Sequence, residues 1–218
     1  MANDSLYQKS YIRRLPELGK LAPDTFKAFL AFDKLALAEG VIPKKAKELI
    51  AVAVAHVTGC PYCIEAHVTN AKRLEATKEE VMEAVMVATA LKAGSALAHG
   101  LNALNAYDKT DDEELYKRSN LARFKEFQEL GPDTFQAFNA FDREALKAGL
   151  ISRKDKELIA VAVAHVTGCA YCIEVHTKKA KQLGTSLEEL AEAIFVATAL
   201  KAGSALAHSV NALNAYDS

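Results

Sequence analysis

Two segments of the 218-residue chain carry the same set of reactive side chains at the same spacing. Glu48-x11-Cys60-Pro61-Tyr62-Cys63-x3-His67 is followed by Glu157-x11-Cys169-Ala170-Tyr171-Cys172-x3-His176. Two cysteines three positions apart at the start of a helix lie on one face, close enough to form an intramolecular disulfide. The free N–H groups of that first turn favour a thiolate. A histidine four residues beyond the second cysteine sits one helical turn away, where its ring can take or return the thiol proton. Glu48 and Glu157 open strongly apolar helices, and an unpaired carboxylate there is costly to bury, so each calls for a partner such as His67 or His176. The chemistry this predicts is a thiol pair with a carboxylate–imidazole proton relay. The same donors could instead hold a zinc ion, or fit thiol transfer and disulfide isomerisation. His56 and His165 have no acid at a useful spacing and read as core histidines. His99 and His208, followed three residues on by Asn102 and Asn211, read as structural.

The recurrence extends over the whole chain. Ala22–Phe26 (APDTF) returns as Gly131–Phe135 (GPDTF), 109 positions later, and Leu6-Tyr7, Cys60, His67 and Tyr107-Asp108 return at the same offset without a gap. About three-quarters of positions match from Lys45 to Asp108, fewer before that. The period is too long for a solenoid, so the chain reads as two fused domains, residues 1–109 and 110–218, with the charged run Lys109–Glu114 as linker.

Each half is patterned as helices. Asp24 (Asp133) stands at an N-cap position before apolar residues at helical spacing, and Gly40 (Gly149) offers a stop. Pro43 and Ser152 introduce a helix from Lys47 to about Val57 that is apolar on nearly every side. Its Ala-Val alternation could pass for a strand, but the alanines and start signals predict a helix. Thr58-Gly59 breaks the chain, and a helix with both cysteines in its first turn runs from Cys60 to about Leu74. Thr77 with Glu80, and Ser186 with Glu189, have capping-box spacing and open Ala-rich stretches to Tyr107 and Tyr216, with Lys92–Ser95 offering a division. Nothing demands a sheet. The predicted architecture is all-α, two helical units related by a pseudo-twofold axis.

Twenty-seven basic against 28 acidic residues leave a net charge of −1, so there is no electrostatic source for nucleic-acid or anionic-membrane binding. The uninterrupted apolar stretches fall short of a membrane span, and Met1–Asp4 lacks the order of a secretory signal. A cytoplasmic protein is expected. No Gly-rich phosphate loop or zinc-protease motif is present.

Through the two Glu-x11-Cys-x-x-Cys-x3-His motifs, the sequence resembles the alkylhydroperoxidase (AhpD-like) branch of the carboxymuconolactone decarboxylase superfamily, over roughly Pro43–Asp108 and Ser152–Asp217. That resemblance implies an all-helical fold assembling as trimers or hexamers. It also implies a peroxiredoxin-type reduction of hydroperoxides by the cysteine pair, regenerated by a dithiol or thioredoxin-like reductant, with no cofactor and no resident metal. Carried over by position, Cys63 and Cys172 would attack the peroxide, Cys60 and Cys169 would resolve, and Glu48, His67, Glu157 and His176 would relay protons. The best-known members have a further histidine between the cysteines, where this chain has Tyr62 and Tyr171. A two-repeat chain would form a homotrimer standing in for a hexamer. The alternatives are a decarboxylase acting on a lactone, the reaction that names the superfamily, and a non-catalytic redox or zinc-holding module.

Overall fold

The computed structural model describes residues 5–109 and 113–217, so part of the expected Lys109–Glu114 linker lies outside the described residues. In the first repeat a 3-10 turn, Lys9–Arg14, leads into α1 (Leu15–Leu21), α2 (Pro23–Ala36), α3 (Lys44–Thr58), α4 (Pro61–Arg73) and α5 (Lys78–Tyr107). The second repeat gives the turn Arg118–Arg123, then α6 (Phe124–Leu130), α7 (Pro132–Leu146), α8 (Arg153–Thr167), α9 (Ala170–Gln182) and α10 (Leu187–Tyr216). There is no strand among the described residues.

The Ala-Val run is helical, as its start signals require. In α3 every residue from Lys47 to Ala55 is buried, and in α8 every residue from Lys156 to Ala164. A helix that is apolar all round must be covered all round. Its cover comes from both repeats: α3 packs on α4 and α5 of its own repeat and on α8 and α10 of the other, and α8 repeats the arrangement with α9, α10, α3 and α5. The helices that precede them follow suit, with α2 against α10 and α7 against α5. The main core therefore mixes Ile42, Ile50, Val52 and Leu91 with Leu158, Ile159, Val163 and Leu200. The two repeats interlock around the pseudo-twofold axis and share one core, so the sequence units are not separate packing units.

Three local details differ from expectation. Ala22 and Gly131 occupy the N-cap positions of α2 and α7, Pro23 and Pro132 take the first helical position, and Asp24 and Asp133 sit in the first turn. There they complement the helix dipole. The helices before Gly40 and Gly149 end at Ala36 and Leu146, so those glycines stop nothing. A Cβ on Gly40 would collide with the Glu192 carboxylate, and one on Gly149 with Glu83. Nor does Lys92–Ser95 divide α5, which runs unbroken through thirty residues. The small residues there are packing seams: Ser95 is buried and Phe138 lies over Gly94. Both capping boxes are formed, Thr77 with Glu80 and Ser186 with Glu189.

Glu192 and Glu83 make two related clasps between the repeats. The Glu192 carboxylate on α10 accepts the N–H groups of Val41 and Ile42 at 3.0 and 2.9 Å and pairs with Lys47 Nζ at 3.0 Å. Lys47 donates a further hydrogen bond to Ala38 O at 2.7 Å. Glu83 on α5 does the same for Leu150 N, Ile151 N and Lys156 Nζ. Burial alone would push the Glu192 and Glu83 carboxyls up, but the two N–H donors and the lysine in each clasp outweigh it, and both lie below the usual range. By length and composition α5 and α10 could each cross a bilayer; in this fold both pack along the shared core.

Candidate functional site

Each cysteine pair sits where a glycine ends one helix and the next begins. Gly59 and Gly168 close α3 and α8 at φ of 69° and 70°, in the left-handed region that glycine enters without strain. The chain then turns directly into Cys60 and Cys169. These are the N-cap residues of α4 and α9, one place before the first turn in which the sequence pattern put them. Cys60 Sγ accepts the Cys63 N–H at 3.2 Å, and Cys169 Sγ accepts that of Cys172 at 3.2 Å. Cys60 is joined to Cys63, and Cys169 to Cys172, by a disulfide. Cys60 and Cys169 are fully covered, whereas Cys63 and Cys172 keep 8% and 7% of their surface. Access therefore favours the second sulfur of each pair.

The structure brings the acid and the imidazole together in both copies. His67 Nδ1 is 2.8 Å from Glu48 Oε2, and His176 Nδ1 is 2.7 Å from Glu157 Oε2. Opposite a carboxylate, which only accepts, Nδ1 is the donor, and Nε2 is left as the ring nitrogen not engaged by the acid. Glu48 and Glu157 are almost completely buried, at 3% and 0% exposure, so the contact answers a desolvation cost as well as orienting the ring. Cys172 and His176 line one crevice of about 230 Å³, walled by Leu91, Leu97, Phe135 and Phe138.

Neither repeat completes a site alone. Cys60 and Cys63 pack with Ala207 of α10 and with Ile12 of the 3-10 turn, while Cys169 and Cys172 pack with Ala98 and Leu101 of α5 and with Leu121. The tyrosines between the cysteines also reach across. Tyr62 donates to Asn211 Oδ1 at 3.3 Å, and Tyr171 to Asn102 Oδ1 at 3.2 Å while accepting from Asn120 Nδ2 at 3.1 Å. Burial, and then Tyr7 and Tyr11, push the Tyr62 hydroxyl above its ordinary value, so it stays a donor. The rings of Tyr7 and Tyr116 lie tilted against those of Tyr62 and Tyr171.

His56 and His165 are satisfied within their own helices, each through Nδ1 to the carbonyl four residues earlier. His208 does likewise with Ser204 O, and His99 meets Tyr116 edge-on. Among the described residues no three His, Cys, Asp or Glu side chains converge as a metal-ligand set.

Two positions escaped the motif. Burial raises the Asp33 carboxyl; His67 pulls it down and Glu48 pushes it up, which puts Asp33 within electrostatic reach of the first dyad, and its repeat counterpart Asp142 lines the second crevice. Asn70 donates to Glu48 Oε1 at 3.4 Å, whereas its counterpart is Lys179, on the crevice wall beside His176. Asp33 stands too far upstream of Glu48 for spacing to flag it. The Asn70/Lys179 difference is visible on aligning the two halves.

A model of the carboxymuconolactone decarboxylase family matches residues 23–106 and again 132–215. The chain belongs to that family. Two similar proteins each match less than half of this chain. An uncharacterized protein of the cox locus of Paracoccus denitrificans is 54% identical over 84 residues, 38% of this chain and 76% of the relative. An uncharacterized protein of Haemophilus influenzae is 42% identical over 95 residues, 42% of this chain and 84% of that protein. A solved structure of a proposed gamma-carboxymuconolactone decarboxylase subunit from Burkholderia xenovorans superposes with a TM-score of 0.62 at 19% identity, over 97% of this chain and all of that one. That likeness concerns the fold of the two-repeat unit.

Proposed function

We propose that this family member is a thiol-dependent peroxidase of the alkylhydroperoxidase kind, with one site per repeat. The observation that supports it best is the shared crevice of Cys172 and His176, with the histidine fixed from behind by Glu157 and the cysteine already bonded to Cys169. In the reduced protein His176 takes the Cys172 proton. The thiolate attacks the terminal oxygen of a hydroperoxide; an S–O bond forms, the O–O bond breaks, and the alkoxide leaves as the alcohol with the proton from the imidazolium. The Cys169 thiol then attacks the sulfenic sulfur, water departs, and the disulfide forms. An external dithiol returns two electrons and two protons. Cys63, Cys60, His67 and Glu48 carry out the same steps in the first repeat. Tyr171 lines the crevice beside Cys172, with its hydroxyl held between Asn102 and Asn120.

The reading includes a homotrimer in the cytoplasm, where reductants are at hand. The fold exposes 12,777 Å², whereas a compact monomer of 23.6 kDa exposes about 9,800 Å². Met86 and Phe195, at equivalent places on α5 and α10, are roughly half exposed, which suits a buried subunit contact. Thiol titration tests the chemistry. One equivalent of hydrogen peroxide per site is expected to consume both thiols of each reduced repeat, and retention of free thiols would reject the reading.

A decarboxylase reading rests on the family name, and that reaction has no use for a paired thiol. Turnover of carboxymuconolactone by the protein with Cys63 and Cys172 both replaced by serine would favour it.

A further inference from the structure

The two sites differ in charge at one lining position, Asn70 against Lys179. In the first, both oxygens of Glu48 are engaged, Oε2 by His67 and Oε1 by Asn70. In the second, position 179 is lysine, and Glu157 Oε1 is buried without a hydrogen-bond partner. The lysine has not taken over the asparagine's bond. Lys179 is half-buried on the wall of the crevice, and among the described residues its ammonium makes no ion pair, while neighbouring Lys178 is paired with Glu174. The other acid or base side chains lining this space are Asp142 and His176, with Glu157 held behind His176. Asp142 has its counterpart Asp33 in the first site, so the two sites differ by the one positive charge of Lys179. The other walls are mostly apolar, from Leu91, Leu97, Phe124, Phe135 and Phe138, with Asn139 and Tyr171 as the polar exceptions.

Resting on the peroxidase reading, we infer that the crevice over Cys172 takes hydroperoxides carrying a carboxylate on an apolar body, with Lys179 as counter-charge, while the site of Cys63 does not distinguish them. The peroxide end meets Cys172 and His176, the hydrocarbon replaces water against the phenylalanines, and the carboxylate pairs with Lys179. The cavity is small, about 230 Å³, below the ~300–1,000 Å³ of sites for larger ligands. A compact substrate of about ten carbons is therefore the better probe than a long lipid.

The test compares cumene hydroperoxide with its para-carboxylate. A protein with Cys60 and Cys63 replaced by serine reports the second site, and one with Cys169 and Cys172 replaced reports the first. The ratio of kcat/KM, carboxylate over neutral, is expected to be roughly fivefold higher at the second site, the scale of a half-exposed ion pair. Lys179→Asn should bring that ratio down to the first site's value, and Asn70→Lys should raise the first. Equal ratios at the two sites, or a Lys179→Asn change that slows both probes alike, would overturn the inference. If neither single-site protein consumes cumene hydroperoxide, the peroxidase reading fails, and calorimetry decides this point separately. 4-Isopropylbenzoate, which has the ring and carboxylate but no peroxide, should bind the wild-type chain roughly fivefold more tightly than the Lys179→Asn chain. Equal binding would refute the assignment of Lys179.

Discussion

Replacing Glu192 by alanine tests the interlocking of the repeats, on which both sites depend. The substitution removes three bonds that join α10 to the first repeat: those to Val41 N, Ile42 N and Lys47 Nζ. Val41 is exposed and its N–H can turn to water at little cost, but Ile42 is buried, and its orphaned N–H costs about 1–2 kcal/mol. Lys47 is 3% exposed and keeps only Ala38 O. Losing one partner of a fully buried pair costs about 3–5 kcal/mol, and less here because the Glu192 side chain is a quarter exposed. Together these give a loss of about 3 kcal/mol, a large share of the roughly 5–15 kcal/mol that holds a typical domain. Urea unfolding followed by circular dichroism reads it as a lower midpoint at unchanged slope. Glu83→Ala should lose the same within about 1 kcal/mol, because its partners repeat those of Glu192. A loss below about 1 kcal/mol for either variant would mean that the clasps do not join the repeats as described.

Acid should loosen the same clasps. Glu192 and Glu83 titrate below their unfolded values, so their contribution is full above the ordinary carboxylate range and lost as pH falls through the depressed folded values. The urea midpoint should therefore fall below about pH 4, and the Glu192→Gln/Glu83→Gln protein should show a flatter decline. Gly59→Ala places a side chain at φ 69° with nothing within 4 Å; strain alone should lower the melting temperature by about 2–4 °C, and a larger drop would indicate a clash. Changing Glu48 and Glu157 together to glutamine should slow peroxide turnover about a hundredfold while leaving the chain folded, and a rate within twofold of wild type would remove them from the relay.

Much of this was legible in the residues. Start signals and alanines decided α3 and α8 against a strand, and the capping boxes marked where α5 and α10 begin. The acid, cysteine and histidine spacing named the groups that meet. What spacing could not carry was the other repeat's share. Ala207 and Asn211 stand beside Cys60, Cys63 and Tyr62 only because α10 crosses onto the first repeat. Likewise Gly40 looked like a helix stop because its real constraint, the carboxylate of Glu192, lies far along the chain. Asp33 and Asp142 join the sites from helices that carry no motif.

The central claim is tested most directly by following cumene hydroperoxide with excess dithiothreitol and catalytic amounts of protein, wild type beside Cys63→Ser/Cys172→Ser. Turnover by the wild type and a rate no faster than dithiothreitol alone for the variant is the predicted result. Equal turnover by the two proteins would contradict it.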